Sequence, residues 1–146
     1  MLDCWGTGKQ GGRMQKQRAF SMSLSRGVIV ASESATAVHI AQLMMEHDIG
    51  AVVIMRGNRL VGIISERDVA RRVVACGKNP RVATAKEFMT KKVVTADFKD
   101  GLNNIYQKLC HAKFRHLPIM HDGRLVGIAS QRDVLYGVTA RSLKKK

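Results

Sequence analysis

No stretch of the 146-residue chain holds enough consecutive apolar residues to cross a bilayer as a helix, which excludes an integral helical membrane protein. The N-terminus carries no uninterrupted apolar core of the kind a secretory signal needs. Acid is nearly missing from the residues up to Gly27, where Asp3 is the only carboxylate in a basic, Ser-, Gly- and Gln-rich stretch. An organelle transit peptide has that composition, and so does a polar extension of a cytosolic protein. The second reading is adopted, and a cytoplasmic location is expected. Cysteine is scarce. Cys4, Cys76 and Cys110 are odd in number and lack a C-x-x-C spacing, so they fit a reducing compartment better than a disulfide framework or a zinc site. Aromatic residues make up only 5% of the chain, few for a surface that would stack on nucleic-acid bases.

What is present is ordinary in proportion and unusual in charge. The chain is 45% apolar and 25% charged, as expected of a globular protein. Its 25 Lys and Arg against 11 Asp and Glu give a formal charge of +14, which predicts attraction to polyanions without choosing among nucleic acid, a membrane surface and phosphorylated small molecules.

The chain repeats itself. A shift of sixty-five places lays Ile54-Met55 on Ile119-Met120, and Arg59-Leu60-Val61-Gly62-Ile63 on Arg124-Leu125-Val126-Gly127-Ile128. It also lays Ser65, Arg67, Asp68 and Val69 on Ser130, Arg132, Asp133 and Val134, and the register holds without a gap back to Val28 on Val93. Each copy reads as β-α-β-β-α. Short strands are expected at 28–31 and 93–96. Helices follow at 35–47, where Ile40, Leu43, Met44 and His47 recur at helical spacing, and at about 102–113, with Leu102, Ile105 and Leu109 on one stripe. Two apolar runs, 51–55 and 60–65, meet across a Gly57-Asn58 turn, and Asp122-Gly123 holds the matching place in the second copy. A second helix closes each unit, over 66–76 and 131–139, the first stopped by Gly77 with Pro80 beyond it. Thr84-x-x-Glu87 forms a capping box for one helical turn ending near Met89. The reading is a basic extension over 1–20, a first repeat over 21–78, a linker over 79–84, a second repeat over 85–140 and a basic tail over 141–146. One such unit is too small to hide its apolar face alone, so the two copies should pack together.

The order of elements, the Gly-h-h-Ser-x-Arg-Asp-h signature (h, apolar) at Gly62 and again at Gly127, and the Phe114-Arg115-His116-Leu117-Pro118-Ile119 segment together resemble CBS-domain pairs. The resemblance covers about 21–139 and looks most like the stand-alone pairs, since little of the chain is left for an attached enzyme or transporter. It implies an α/β (α+β) fold of two repeats packed as a pseudo-twofold pair. It also implies a regulatory module that binds an adenine nucleotide between the copies, with AMP, ATP, NAD and S-adenosylmethionine as candidates and no required cofactor, and that works as a homodimer on an unidentified protein target. The implied binding set is Thr95, Arg115, His116, Leu117, Pro118, Ser130, Arg132 and Asp133 from the second copy, with Ala51, Ser65, Arg67 and Asp68 from the first.

Each of these residues also has a plainer reading. Ser65 with Asp68, and Ser130 with Asp133, sit where a strand turns into a helix, and a serine N-cap with an acid three residues on is a capping arrangement. The same helix N-terminus suits a phosphate, and a carboxylate there can accept two hydrogen bonds from a ribose diol. The resemblance gives the ribose to Asp68 and Asp133 and the phosphates to Ser65 and Ser130. Arg67 and Arg132, in the first helical turn, equally fit a solvated surface. Arg115 and His116 stand at the mouth of a strand, where a guanidinium suits forked contact with phosphate oxygens. The first copy has Gly50 and Ala51 there, and Val30 where the second has Thr95, so the sites are expected to be unequal, with the second repeat supplying the better one.

Catalysis is not expected: His39, His47, His111, His116 and His121 show no metal-ligand spacing on one helix face, and neither a nucleophile elbow nor a Walker loop occurs. Met44, Met45 and Met55 read as core or dimer-interface filler. Two rival functions remain. One is a basic nucleic-acid-associated protein, suggested by the net charge and by Arg13, Lys16, Arg18, Arg26 and the 141–146 tail. The other is a ligand-free structural dimerisation module.

Overall fold

Two apolar runs separated by turn residues can satisfy their backbone groups as a hairpin, and each copy does so. The computed structural model describes residues 27–111 and 115–132. In it β1 (Val30–Ser32), β2 (Ala51–Arg56) and β3 (Arg59–Ser65) form one sheet in that order. The second copy repeats the arrangement with β4 (Ala96–Asp97), β5 (His116–His121) and β6 (Arg124–Ser130). In both, the first pairing is parallel and the hairpin antiparallel. Register follows the sequence offset. Ile54 faces Gly62 as Ile119 faces Gly127, and each hairpin carries a bulge at the next step, at Ile54/Met55 and Ile119/Met120. The turns differ. Gly57 takes φ +58 ahead of Asn58, whereas Asp122 (φ 45) and Gly123 (φ 75) are both left-handed, as a type I′ turn requires.

Helix α1 (Ala37–His47) begins two residues after the expected start, because Thr36 stays extended and its hydroxyl accepts from the His39 amide at 3.3 Å. It stops at Asp48, a left-handed residue (φ 51) whose amide closes back on the Met44 and Met45 carbonyls. The helix expected over 66–76 is an α-turn, α2 (Glu66–Asp68), that widens into a π-helical stretch over Val69–Val74. The Ala75 amide accordingly reaches back five residues to the Ala70 carbonyl at 2.9 Å. Helix α3 (Ala85–Phe88) carries the expected capping box: Glu87 accepts from the Thr84 hydroxyl at 2.8 Å and from its amide at 3.2 Å. Those bonds, the hydroxyl's first, hold the Glu87 carboxyl below its ordinary pKa. Helix α4 (Leu102–His111) follows; residues 112–114 lie outside the described residues, and of the helix expected over 131–139 only its helical first two residues, 131 and 132, lie within them. No helix among the described residues is long and apolar enough to cross a membrane.

Each sheet covers its own core. The first gathers Ile40 and Met44 of α1, Val52, Ile54 and Ile64 of the sheet, Val73, and Phe88 and Met89 at the end of α3. The second is smaller: Ala96, Ile105, Leu109, Leu117, Ile119 and Ala129. Residues after the linker are thus built into the first copy. The Ala37 amide bonds the Ala83 carbonyl at 2.9 Å, the Ala85 amide bonds the Ala35 carbonyl at 2.8 Å, and Phe88 is 1% exposed. Thr90 exchanges both backbone bonds with Ile63, at 3.0 and 3.1 Å. Gly62 makes this approach feasible, since a Cβ there would lie 2.3 Å from Met89 Sδ. Lacing 83–90 onto the first sheet delivers residues 91–94 beside the end of β3, which is where the site forms.

The copies also part company at one corresponding pair. Glu33 and Arg56 form an ion pair in the first copy, where Phe98 and His121 form a tilted ring pair with centroids 5.2 Å apart in the second. The Arg56 hydrogen bond holds the Glu33 carboxyl below its ordinary pKa, and Glu33 in turn raises that of Arg56.

Candidate functional site

Strand β3 ends at Ser65, which stays extended (φ −105) and caps α2. Asp68 completes a capping box: its Oδ2 accepts from the Ser65 amide at 2.8 Å and from the Ser65 hydroxyl at 2.7 Å. The Ser65 oxygen accepts in turn from the Asp68 amide at 3.4 Å. The capping reading of this pair is therefore realised, and it limits what else the pair can do. With its proton committed to Asp68, Ser65 is left as an acceptor toward anything beside it. Asp68 keeps capacity on Oδ1, whose described neighbour is the Arg72 guanidinium, with Nε 3.3 Å away. The Asp68 side chain is 17% exposed, enough to meet a ligand from one side.

Across from this corner stands the segment that follows α3. Thr90, Lys92, Val93 and Val94 form a second wall, and Arg115 and His116 at the mouth of β5 close the third side. With Ile63, Ser65, Arg67 and Asp68 they enclose a cleft of about 150 Å³. Ile63, Val93 and Val94 make part of its surface aliphatic. Arg67, Lys92 and Arg115 bring three basic side chains to it, and none of them forms an ion pair with a carboxylate among the described residues. Among the described residues, the one carboxylate on the lining is Asp68. Such a cleft can accept hydrogen bonds from hydroxyls at one corner and neutralise an anion elsewhere.

The two copies meet here. The Glu66 amide bonds the Gly50 carbonyl at 3.1 Å just as the Gln131 amide bonds that of Arg115 at 3.0 Å. A Cβ on Gly50 would lie 3.0 Å from His116 Nε2, so the smallness of the first copy at this point makes room for the imidazole of the second.

The fold sorts the expected binding residues into groups. It brings Ser65, Arg67 and Asp68 of the first copy together with Arg115 and His116 of the second. It places the others elsewhere. Ala51 and Leu117 are 3% and 0% exposed, Leu117 within the second core, and Pro118 beside it is also buried. Ser130 pairs with His116 across the β5–β6 ladder, outside this cleft, and Arg132 is exposed in the helical residues that follow β6. Thr95 is half-buried just ahead of β4, and its carbonyl accepts from Lys108 Nζ at 3.4 Å. Asp133 lies outside the described residues. The sequence grouped candidates by copy, whereas this cleft draws on both. The sequence offers Thr90 and Lys92 no motif and places Val93 and Val94 in a strand over 93–96, whereas β4 is Ala96–Asp97 and residues 90–94 run ahead of it along the cleft. The signal that points to them is their place just after the α3 capping box.

The sequence pattern of the CBS domain family matches residues 21–75 and 85–139. An uncharacterised protein of Methanopyrus kandleri is 40% identical over 112 residues, 75% of this chain and 57% of its own length, so the chain spans little more than half of that relative. The crystal structure of a CBS-domain-containing protein from Agrobacterium tumefaciens superposes with a TM-score of 0.71 at 31% identity, over 80% of this chain and 90% of that one. The CBS domain pair of protein MJ0100, solved in complex with 5-methylthioadenosine and S-adenosyl-L-methionine, superposes with a TM-score of 0.74 at 26% identity, over 82% and 94% of the two chains. With two matched copies that account for most of its length, the chain belongs to the CBS domain family, as a CBS-domain pair.

Proposed function

We propose that the cleft binds an adenine nucleotide and that the protein is a regulatory, non-catalytic module whose state follows that occupancy. The observation that carries the reading is the meeting of Asp68 with Arg67, Lys92 and Arg115 in one cleft that also offers Ile63, Val93 and Val94. A nucleotide asks for that combination: an acceptor for the ribose diol, cations for phosphate and an aliphatic surface for the base. The adenosine compounds bound by the MJ0100 domain pair support the same class of ligand. AMP, ATP, NAD and S-adenosylmethionine are the candidates. The response is transmitted by a homodimer to a protein partner, and it requires the ligand to bind two states of the module unequally.

Calorimetric titration with each of the four compounds tests this. Heat is expected with at least one of them at micromolar to millimolar concentration. Silence from all four at millimolar concentration would remove the reading. Binding of nucleic acid that weakens steeply with salt would replace it with a polyanion-binding role, for which the net charge of +14 is the source.

A further inference from the structure

Arg72 is not among the residues that line the cleft, yet it touches both the corner that holds Asp68 and the chain that leads to the opposite wall. Its Nη1 donates to the Phe88 carbonyl at 2.9 Å, and its Nε stands 3.3 Å from Asp68 Oδ1. The Phe88 carbonyl belongs to the last turn of α3, where no intrahelical amide can reach it. Two residues further on, Thr90 begins the wall that continues through Lys92 to Val94. The Arg72 side chain is 47% exposed, so solvent screens its charge, and its contribution is chiefly geometric. A guanidinium presents its donors in a rigid plane and can hold two acceptors at a fixed separation, as an ammonium cannot. Ser65 holds Oδ2 of Asp68 through two hydrogen bonds, while the Arg72 guanidinium stands at ion-pair distance from Oδ1 and biases the plane of the carboxylate. Under the sixty-five-residue offset Arg72 corresponds to Gly137, so the second copy has no such side chain.

We propose that Arg72 is a positioning residue for the ribose of the ligand: it orients the Asp68 carboxylate to accept a vicinal diol and ties it to the wall that carries Thr90 and Lys92. The proposal rests on the nucleotide reading of the cleft. Arg72 acts through Asp68 and the Phe88 carbonyl and does not touch the ligand, so its loss should matter only to a ligand that has ribose hydroxyls to place.

The test is a cycle between protein and ligand. Wild type and Arg72→Lys are each titrated with ATP and with 2′,3′-dideoxy-ATP, or with the AMP pair if AMP is the tighter ligand. The lysine keeps the charge and loses the fork. The variant should bind the natural nucleotide about tenfold more weakly, and the dideoxy form within about twofold of wild type, at a nearly unchanged thermal midpoint. Equal losses for both nucleotides would mean a general structural role and overturn the proposal, as would no loss for the natural one. If none of AMP, ATP, NAD and S-adenosylmethionine binds wild type, the nucleotide reading and the ribose role fall together. The tie between the two walls is then judged alone, by amide hydrogen exchange in the unliganded protein. Faster exchange at Met89 and Thr90 in Arg72→Lys supports the tie, and unchanged exchange overturns it.

Discussion

Replacing Phe88 with alanine lowers the stability of the protein by about 3–5 kcal/mol, the range for deleting a large buried aromatic side chain. Phe88 is 1% exposed and sits in the first core with Ile40, Ile54, Ile64 and Val73. The space it leaves cannot readily close. The Thr90–Ile63 bonds hold the chain on one side, and Met89, pressed into the gap over Gly62, is already in tight contact. Thermal unfolding measures the effect, with a fall in midpoint on the order of 10 °C for a protein of this size. Val82→Ala, 65% exposed on the preceding segment, is the control and should change stability by less than about 0.5 kcal/mol. The result matters because the sequence repeat assigns Phe88 to the second copy. A large loss means that the first copy depends on residues beyond the linker, so that the two copies fold as one cooperative unit. A shift no larger than that of the control would mean that α3 is only loosely attached.

The second large effect is on binding. Asp68→Asn should weaken nucleotide affinity at this cleft by about a hundredfold, because a carboxylate that accepts two hydroxyl hydrogen bonds is worth a few kcal/mol. Asparagine keeps one carbonyl oxygen for the Ser65 amide, so most of the capping box survives and the thermal midpoint should fall by only a few degrees. The amide nitrogen that the substitution introduces can accept nothing from the ribose and meets the Arg72 donors unfavourably. Calorimetry therefore separates the two jobs of one side chain. Unchanged affinity and stoichiometry would show that Asp68 serves the cap alone.

Much of this architecture was legible in the chain, for an identifiable reason. A repeat with constant offset supplies each assignment twice, so the strand ends at Ser65 and Ser130 and the matching bulges after Ile54 and Ile119 mark the same place in both sheets. The details that escaped are those without a periodic signature. Thr36 delays α1 by drawing the His39 amide to its hydroxyl, and a helix pattern from Glu66 onward cannot distinguish an α-helix from the wider turn at Val69–Val74. The site was half legible. Ser65, Asp68, Arg115 and His116 carry recognisable motifs, but that the first pair faces the second follows only from the packing of 83–90 onto the first sheet. Lys92 carries no motif. The i,i+4 spacing from Asp68 to Arg72 was visible, but the Phe88 carbonyl that makes Arg72 a bridge was not. Leu117 lies inside the motif segment, and its side chain is packed in the second core.

The most direct test of the central claim is a crystal structure grown with AMP. The account predicts adenylate density in the cleft, its ribose hydroxyls within hydrogen-bond distance of the Asp68 carboxylate and its phosphate toward one or more of Arg67, Lys92 and Arg115. A nucleotide bound elsewhere, with this cleft empty in crystals of a protein that binds AMP in solution, would contradict it.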